Sequence, residues 1–137
     1  MFKMQSRSFL LFAIIFCSAF LVQESKSAVN NVWQSAMDFC ALQGMKLVDI
    51  STSDKDLELL TLLEANGLGD SYIWSCGKKV GDAFVWTELN NTPFSYTRWY
   101  AGEPNDASTE ICVHFQSNHG WFDTGCQVNS LTLCQPA

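Results

Sequence analysis

Oxygen-bearing side chains gather on one short irregular stretch in the last third of the sequence. The acids in it are Glu103, Asp106, Glu110 and Asp123, and the amide Asn105 lies between the first two. Such oxygens are the ligands that Ca2+ takes, about 6–8 at a time in a flexible shell. Carboxylates brought together repel one another unless a divalent cation neutralises them. The stretch is therefore a candidate calcium site.

A helix is predicted near the start of the domain, over residues 32–43. Its apolar residues recur at helical spacing on one face, namely Trp33, Ala36, Met37 and Cys40. We expect Asn30 or Asn31 to cap its start and Gly44 to end it.

A second helix is predicted over residues 54–65, behind the potential caps at 51–53. We expect its buried side to carry Leu57, Leu60 and either Leu62 or Leu63. The acids Asp54, Asp56 and Glu58 suit the positive end of the helix dipole. We interpret them as a solvated helix face.

The remaining segments predict short strands. They alternate apolar and polar residues or are rich in aromatic and β-branched residues, and turn residues separate them. The predicted strands are 46–50, 72–75, 83–88, 111–115, 121–123 and 131–134, with turns at 81–82 and 118–120 and an irregular segment at 93–99. Two helices followed by antiparallel strands indicate an α+β domain.

Residues 1–27 resemble a secretory signal peptide. Lys3 and Arg7 form a basic start, an apolar run of about 14 residues follows, and small residues precede Ala28. The run is shorter than the roughly 20 residues of a membrane-spanning helix, which is the alternative. We therefore predict cleavage before Ala28 and a secreted, extracellular domain at 28–137 with no membrane span. Five residues then precede Trp33, too few for a full strand.

Charge and cysteine content limit the classes of partner. Cleavage lowers Lys plus Arg from 8 to 5 and Asp plus Glu from 14 to 13, so the net charge changes from −6 to −8. A domain this acidic is a poor candidate for binding nucleic acid. Five cysteines remain, so one is unpaired or bonded to another molecule. No Cys-x-x-Cys pair occurs, which argues against a zinc knuckle.

Several motifs with a joint spacing resemble those of C-type lectin-like domains. The first is Trp33-x-x-Ala36-x-x-x-Cys40 followed by Gly44-x-x-Leu47-Val48, which resembles the family's first-helix signature. Two further segments, Ile73-Trp74-Ser75 and Phe84-Val85-Trp86, resemble the family's core strands. The others are Glu103-Pro104-Asn105, Glu110-x-Cys112-Val113, Trp121-x-Asp123-x-x-Cys126 and Cys134. The resemblance covers essentially all of 28–137 and is closest to short single-domain secreted lectins of invertebrates.

The resemblance implies two helices packed on small antiparallel sheets, a long irregular ligand-binding loop, and two disulfides. The implied disulfides are Cys40–Cys134 and Cys112–Cys126. Cys76 is then left over, either as a buried free thiol or as a disulfide to a second copy, which would make a homodimer.

The resemblance also implies a ligand set and a class of ligand. Carried over by position, the residues that bind Ca2+ and sugar are Glu103, Asn105, Glu110 and Asp123, with a cis bond before Pro104. In the family, Glu-Pro-Asn accompanies mannose, fucose or N-acetylglucosamine, whose equatorial diols replace water on the ion. We do not expect a second ion.

One position departs from the family pattern. Phe122 stands where an asparagine is expected before Asp123, and it offers neither an oxygen to the ion nor a donor to a sugar hydroxyl. A backbone carbonyl or a water could take its place. Phe122 itself could face the sugar, or it could be a core aromatic beside Trp121.

The leading hypothesis is a secreted calcium-dependent carbohydrate-binding protein of mannose type, in innate immunity or a secretory fluid. The alternative is a lectin-like domain that has lost sugar binding through Phe122 and recognises a protein receptor. No arrangement of His114 or His119 with a nucleophile supports an enzyme. Asn90 begins an N-glycosylation sequon, Asn90-Asn91-Thr92, which makes it a candidate for modification.

Overall fold

A computed structural model describes residues 21–23, 32–105 and 111–137 of the 137-residue chain. Its helices are α1, Trp33–Leu42, and α2, Ser53–Ala65, and a 3-10 turn covers Thr87–Leu89. Its strands are β1, Leu21–Gln23; β2, Met45–Leu47; β3, Ile73–Val80; β4, Ala83–Trp86; β5, Thr92–Pro93; β6, Ile111–Gln116; β7, Gly120–Gly125; and β8, Thr132–Pro136.

The strands form two antiparallel sheets. The smaller sheet has the order β1-β8-β2, and the larger has the order β5-β4-β3-β6-β7. Hairpins at 81–82 and 117–119 join β3 to β4 and β6 to β7, near the turns that the sequence predicts. Two helices on small antiparallel sheets confirm the predicted α+β class.

Helix α1 buries the face that its spacing predicts. Trp33, Ala36 and Cys40 are buried, and the Trp33 indole nitrogen donates to the Ser75 carbonyl at 2.9 Å. The N-cap residue is Val32, whose side chain makes no capping hydrogen bond, so the prediction that Asn30 or Asn31 is the N-cap is wrong; the two asparagines lie outside the described residues. The Trp33 amide instead donates to the Cys126 carbonyl at 3.0 Å. A contact distant in sequence thus satisfies a group at the start of this helix.

Helix α2 buries a stripe that only partly matches the predicted one, because Leu63 is buried as expected and Leu60 is half-buried. Thr52 caps its start by accepting from the Lys55 amide at 3.2 Å, as expected for the 51–53 segment. Leu57 is 64% exposed, so the prediction that it is buried is wrong, and Leu59 and Leu63 face the core. The residue that joins them on the buried face is Asp56, which the sequence alone assigns to solvent. Its partners are described with the site.

Two disulfides join distant parts of the fold. Cys40 of α1 is bonded to Cys134 of β8, and Cys112 of β6 is bonded to Cys126 just after β7. These are the pairs that the resemblance implies. Cys76 is a free cysteine, and its side chain is completely buried in β3. Burial raises the pKa of the Cys76 thiol to about 12. The free-thiol alternative therefore describes Cys76, and its sulfur does not reach the surface to bond a second copy.

The backbone of β1 lies inside the predicted signal peptide. Leu21–Gln23 pairs with β8, with Leu21 opposite Cys134 and Gln23 opposite Thr132. Cleavage before Ala28 stays a prediction, and it would leave β8 with one neighbouring strand, β2. Among the described residues, no helix combines the length and apolarity needed to cross a membrane.

Candidate functional site

The segment from Arg98 to Asn105 runs along the edge strand β7. The Trp121 amide donates to the Arg98 carbonyl at 2.9 Å, and the Tyr100 amide donates to the Trp121 carbonyl at 2.9 Å. Trp99 and Trp121 thereby form a parallel bridge. This pairing brings the Glu103-Pro104-Asn105 motif to Asp123, although about twenty residues separate them in the sequence.

A tight turn at 100–103 sets the direction of the Glu103-Pro104-Asn105 motif. The Glu103 amide donates to the Tyr100 carbonyl at 2.9 Å, and Gly102 takes a positive φ of 91°, a region that favours glycine. The bond between Glu103 and Pro104 is cis, as the resemblance implies.

Three of the four predicted ligands meet at this turn. The Asn105 side-chain amide donates to both Glu103 carboxylate oxygens, at 3.1 and 3.2 Å. The Asn105 backbone amide donates to Asp123 Oδ1 at 2.9 Å. Glu110, the fourth predicted ligand, and Asp106 lie outside the described residues.

The carboxyl groups of Glu103 and Asp123 lie within hydrogen-bonding distance of each other. A hydrogen bond with the Asp123 carboxyl raises the pKa of Glu103, and burial and the charge of Asp123 raise it further. The Asn105 amide acts in the opposite direction, because it stabilises the ionised carboxylate. Two carboxyl groups held this close resist simultaneous ionisation, and either a shared proton or a cation relieves the repulsion.

The residues fit Ca2+ in their donor chemistry. Two carboxylates and one side-chain amide supply only oxygen ligands, which a hard cation prefers. Within residues 32–105 and 111–137, His, Cys, Asp and Glu do not form a group of three or more that could hold a metal. The set therefore needs the amide of Asn105 and further oxygen donors, and Glu110 is the predicted one.

Phe122 points away from both the acids and the core around Trp121. Its ring stacks on Tyr100, with centroids 5.0 Å apart, and meets Tyr72 edge-on at 5.5 Å. Trp121 packs in a separate cluster with Trp86, Phe94, Tyr96 and Trp99. The alternative that Phe122 is a core aromatic beside Trp121 is therefore wrong. Successive residues of a strand face opposite sides, so Trp121 and Asp123 share one side and Phe122 has the other.

An ion pair that the sequence does not reveal anchors the segment. Arg98 Nε lies 2.6 Å from Asp56 Oδ2, and Arg98 Nη2 lies 3.1 Å from Oδ1. The Tyr96 hydroxyl donates to the same carboxylate at 2.7 Å. Burial of the hydroxyl is the main cause that raises the pKa of Tyr96 to about 12, and this hydrogen bond is the second cause. Asp56 lies 42 residues before Arg98, so helical spacing gave no sign of the pair. The interpretation of Asp56 as solvated is wrong, whereas Asp54 and Glu58 are exposed.

The two histidines lie in contrasting settings. His114 is largely buried, its Nδ1 is 2.9 Å from the Ser130 hydroxyl, and its ring stacks on Tyr72. Burial lowers the pKa of His114 to about 4, so the ring is neutral at physiological pH. His119 is half exposed beside Asp70.

Asn90 of the sequon is exposed in a left-handed conformation after the 3-10 turn, and its glycosylation stays a prediction.

The sequence is similar to a known protein family over most of its length. The family model described as Lectin C-type domain matches residues 29–136. Lectin subunit alpha of Sarcophaga peregrina is 25% identical over 150 residues, which cover 93% of this chain and 53% of that protein. A perlucin-like protein of Mytilus galloprovincialis is 26% identical over 102 residues, covering 72% and 65% respectively. The chain thus spans about half to two thirds of the length of these relatives.

Solved structures share the fold at low sequence identity. Human lithostathine superposes with a TM-score of 0.69 at 20% identity, covering 84% of this chain and 80% of that one. SPL-1, solved as a complex with GlcNAc, gives 0.67 at 20% identity, covering 84% of each chain. Herring type II antifreeze protein gives 0.67 at 22% identity, covering 86% of this chain and 90% of that one.

The family match covers nearly the whole domain that the sequence predicts, and the structural matches cover most of the chain. The prediction that the chain is not an enzyme agrees with a match to a family of lectins. The chain belongs to the C-type lectin domain family.

Proposed function

We propose that this protein is a secreted, calcium-dependent lectin that binds neutral glycans of mannose type. The Ca2+ ligands are Glu103, Asn105, Glu110 and Asp123. The observation that carries the proposal is the convergence of Glu103, Asn105 and Asp123 through the hydrogen bonds of Asn105. The lectin names of the curated relatives support the same class of function.

Glu103 and Asn105 have different hydrogen-bonding roles in sugar recognition. A bound Ca2+ supplies coordination positions for two neighbouring sugar hydroxyls. The Glu103 carboxylate accepts a hydrogen bond from a hydroxyl, and the Asn105 side-chain amide donates one. The contact at 3.1 and 3.2 Å holds this acceptor and donor side by side before a sugar arrives. The order Glu-Pro-Asn is the basis for the choice of mannose, fucose or N-acetylglucosamine.

The surrounding protein keeps the site in shape. The pairing of Tyr100 with Trp121 joins the loop to β7, and the Cys112–Cys126 disulfide closes the β6–β7 hairpin that carries Asp123. A loop that is ordered beforehand loses less entropy when it binds. Two disulfides and the predicted signal peptide support an extracellular location.

Calorimetric titration of the oxidised domain with Ca2+ tests the ligand set. We expect the wild type to bind one ion, and we expect Glu103→Gln and Asp123→Asn each to weaken binding at least about tenfold, because each removes a charged oxygen ligand. Glu58→Gln is the matched control, since Glu58 is exposed on α2. A wild type with neither heat of binding nor a rise in melting temperature would overturn the proposal.

The second candidate is a lectin-like domain that recognises a protein. Phe122 favours it, because this ring brings no oxygen to the site and packs on Tyr100 instead. Phe122→Asn distinguishes the two candidates in a glycan-binding assay. If the variant gains sugar binding that the wild type lacks, the native sugar site is impaired, which contradicts the first candidate and favours the second. If both proteins bind mannose with similar affinity, Phe122 is compatible with the lectin.

A further inference from the structure

One edge of strand β8 is covered by β1. In this antiparallel pairing Leu21 lies opposite Cys134, and Gln23 lies opposite Thr132. Because the smaller sheet has the order β1-β8-β2, β8 has a neighbour on each side only while β1 is present. Strand β1 precedes Ala28 and therefore falls inside the predicted signal peptide. Cleavage before Ala28 would remove this cover.

The hydrogen bonds on the other edge of β8 show which of its residues face β1. The Val48 amide, which directly follows β2, donates to the Leu133 carbonyl at 3.1 Å. Leu133 therefore turns its backbone groups toward the β2 side. Successive residues of a strand turn these groups to opposite edges, so Thr132 and Cys134 turn theirs toward β1. Their N–H and C=O groups are the ones that pair with the backbone of β1.

Both of these residues are buried. Thr132 is 1% exposed and Cys134 is completely buried, and Cys134 also carries the disulfide to Cys40. Buried backbone N–H and C=O groups are almost always paired, because an unpaired one costs about as much as a lost hydrogen bond. A chain that began at Ala28 would keep five residues before Trp33, too few for a full strand in the place of β1. Such a chain would therefore lose stability.

The sequence just before β1 has the features of a cleavage site. Cys17 and Ala19 are small residues with one residue between them, the same spacing as the small residues before Ala28. The apolar run at 9–16 by itself satisfies the roughly 7–15 apolar residues that a signal peptide needs. A signal peptide that ends at Ala19 is therefore complete without any residue of β1.

The cysteines set the other limit on the position of cleavage. The cysteines at 40, 112, 126 and 134 form two disulfides, and Cys76 is a buried free thiol. These five cysteines offer no accessible thiol to Cys17. A cut after Cys17 and before Leu21 removes this sixth cysteine and keeps β1, and Ala19 lies within that interval.

We propose that a signal peptidase cleaves between Ala19 and Phe20, and that β1 stays as the first strand of the mature domain. Hydrolysis of this peptide bond consumes one water and leaves a carboxyl group on Ala19 and an amino group on Phe20. The new amino terminus directly precedes β1 in the sequence. This inference rests on the part of the proposed function that makes the protein secreted, and it replaces the predicted cleavage before Ala28.

Sequencing the amino terminus of the protein that a eukaryotic cell line secretes from the full chain tests the site. We expect the chain to begin at Phe20, and the mass of the deglycosylated protein should agree with residues 20–137. Ala19→Leu removes the small residue just before the cut, so we expect it to abolish this terminus. Ser27→Leu is the matched control, because it makes a similar change before Ala28 and should leave the terminus at Phe20. A wild-type protein that begins at Ala28 would overturn the inference.

A pair of proline variants tests the role of β1 in the sheet. The Gln23 amide faces Thr132, whereas the Val22 amide faces away from β8, because adjacent strand residues alternate. Proline removes the amide and is tolerated in a strand only where that amide does not pair. We expect Gln23→Pro to lower the melting temperature of the secreted protein by at least about 4 °C, and Val22→Pro to lower it by less than half as much. Equal melting temperatures in both variants and the wild type would show that β1 does not stabilise the domain and would contradict the inference.

The inference and the proposed function fail in different ways. If the protein reaches the medium with Ala28 at its amino terminus, the secreted location stands and the inference fails. If the cells retain a protein that still begins at Met1, the secreted location fails and the inference fails with it. Titration with Ca2+ tests the ligand set independently of either result.

Discussion

Replacing Arg98 should destabilise the domain more than replacing its partner Asp56. The Asp56 side chain is 2% exposed, whereas that of Arg98 is 27% exposed. Without Arg98, the buried carboxylate keeps, among the described residues, only the Tyr96 hydroxyl as a side-chain partner. Without the Asp56 charge, the guanidinium can turn toward water. The cost of breaking this pair therefore depends on which partner is removed.

We estimate the two costs from the contacts. Removing one partner of a buried pair costs about 3–5 kcal/mol, so we expect Arg98→Met to lower the free energy of unfolding by about 3–4 kcal/mol. Asp56→Asn keeps the shape and one acceptor oxygen, and we expect it to cost about 1–2 kcal/mol. Urea denaturation monitored by tryptophan fluorescence measures both. Glu58→Gln, on the exposed face of the same helix, should stay within about 0.5 kcal/mol of wild type.

Two results would refute this reasoning. A change below about 0.5 kcal/mol in Arg98→Met would mean that water reaches Asp56 and that the pair behaves as a surface salt bridge. A larger loss in Asp56→Asn than in Arg98→Met would mean that the carboxylate has a further role. The double variant separates the pair from its surroundings, because a coupling energy near zero would show that the two residues act independently.

Three further predictions concern pH, the free thiol and the disulfides. His114 is held neutral in the folded state with a pKa of about 4, while the unfolded chain takes up a proton below about 6.5. Stability should therefore fall by about 3 kcal/mol as the pH falls from 6.5 to 4, and urea melts of His114→Gln should show a shallower fall. Cys76 should not react with a thiol reagent until the chain is unfolded, and a disulfide-linked dimer on a non-reducing gel that Cys76→Ser abolishes would contradict its burial. The Cys40–Cys134 bond spans 94 residues and should contribute on the order of 4–5 kcal/mol, against about 3 kcal/mol for the bond that spans 14, so its removal should lower the melting temperature more.

The elements with strong local patterns were predictable from the sequence. The face of α1 that carries Trp33, Ala36 and Cys40 follows from helical spacing, and the alternation at 111–115 gives the interior strand β6. In α1 the buried residues are apolar, so local pattern and tertiary burial agree, whereas β6 also buries the polar His114 and Gln116, which alternation does not predict. The disulfide pairs followed only from the resemblance to a family, because spacing alone leaves several connectivities open.

The errors occur where a distant partner decides the outcome. The phase of α2 depends on Asp56 facing inward, and a carboxylate faces inward only because Arg98 and Tyr96 meet it there. Leu57 is exposed as a consequence. Phe122 is a second example. Its hydrophobicity suggests the core, but its position on β7 places it beside Tyr100 and Tyr72, on the face of the strand opposite to Trp121. Neither partner could be read from residues nearby in the sequence.

The candidate site depends on the same long-range contacts. Glu103 and Asp123 face each other because Arg98 and Tyr100 pair through their backbones with Trp121. Arg98 is in turn fixed by Asp56, a residue that touches neither acid. A change at Asp56 or Arg98 should therefore move the loop and weaken the proposed Ca2+ binding as well as stability. Because proximity of the two carboxyl groups is what raises the pKa of Glu103 and favours a cation, the anchor and the ligand chemistry are parts of one arrangement.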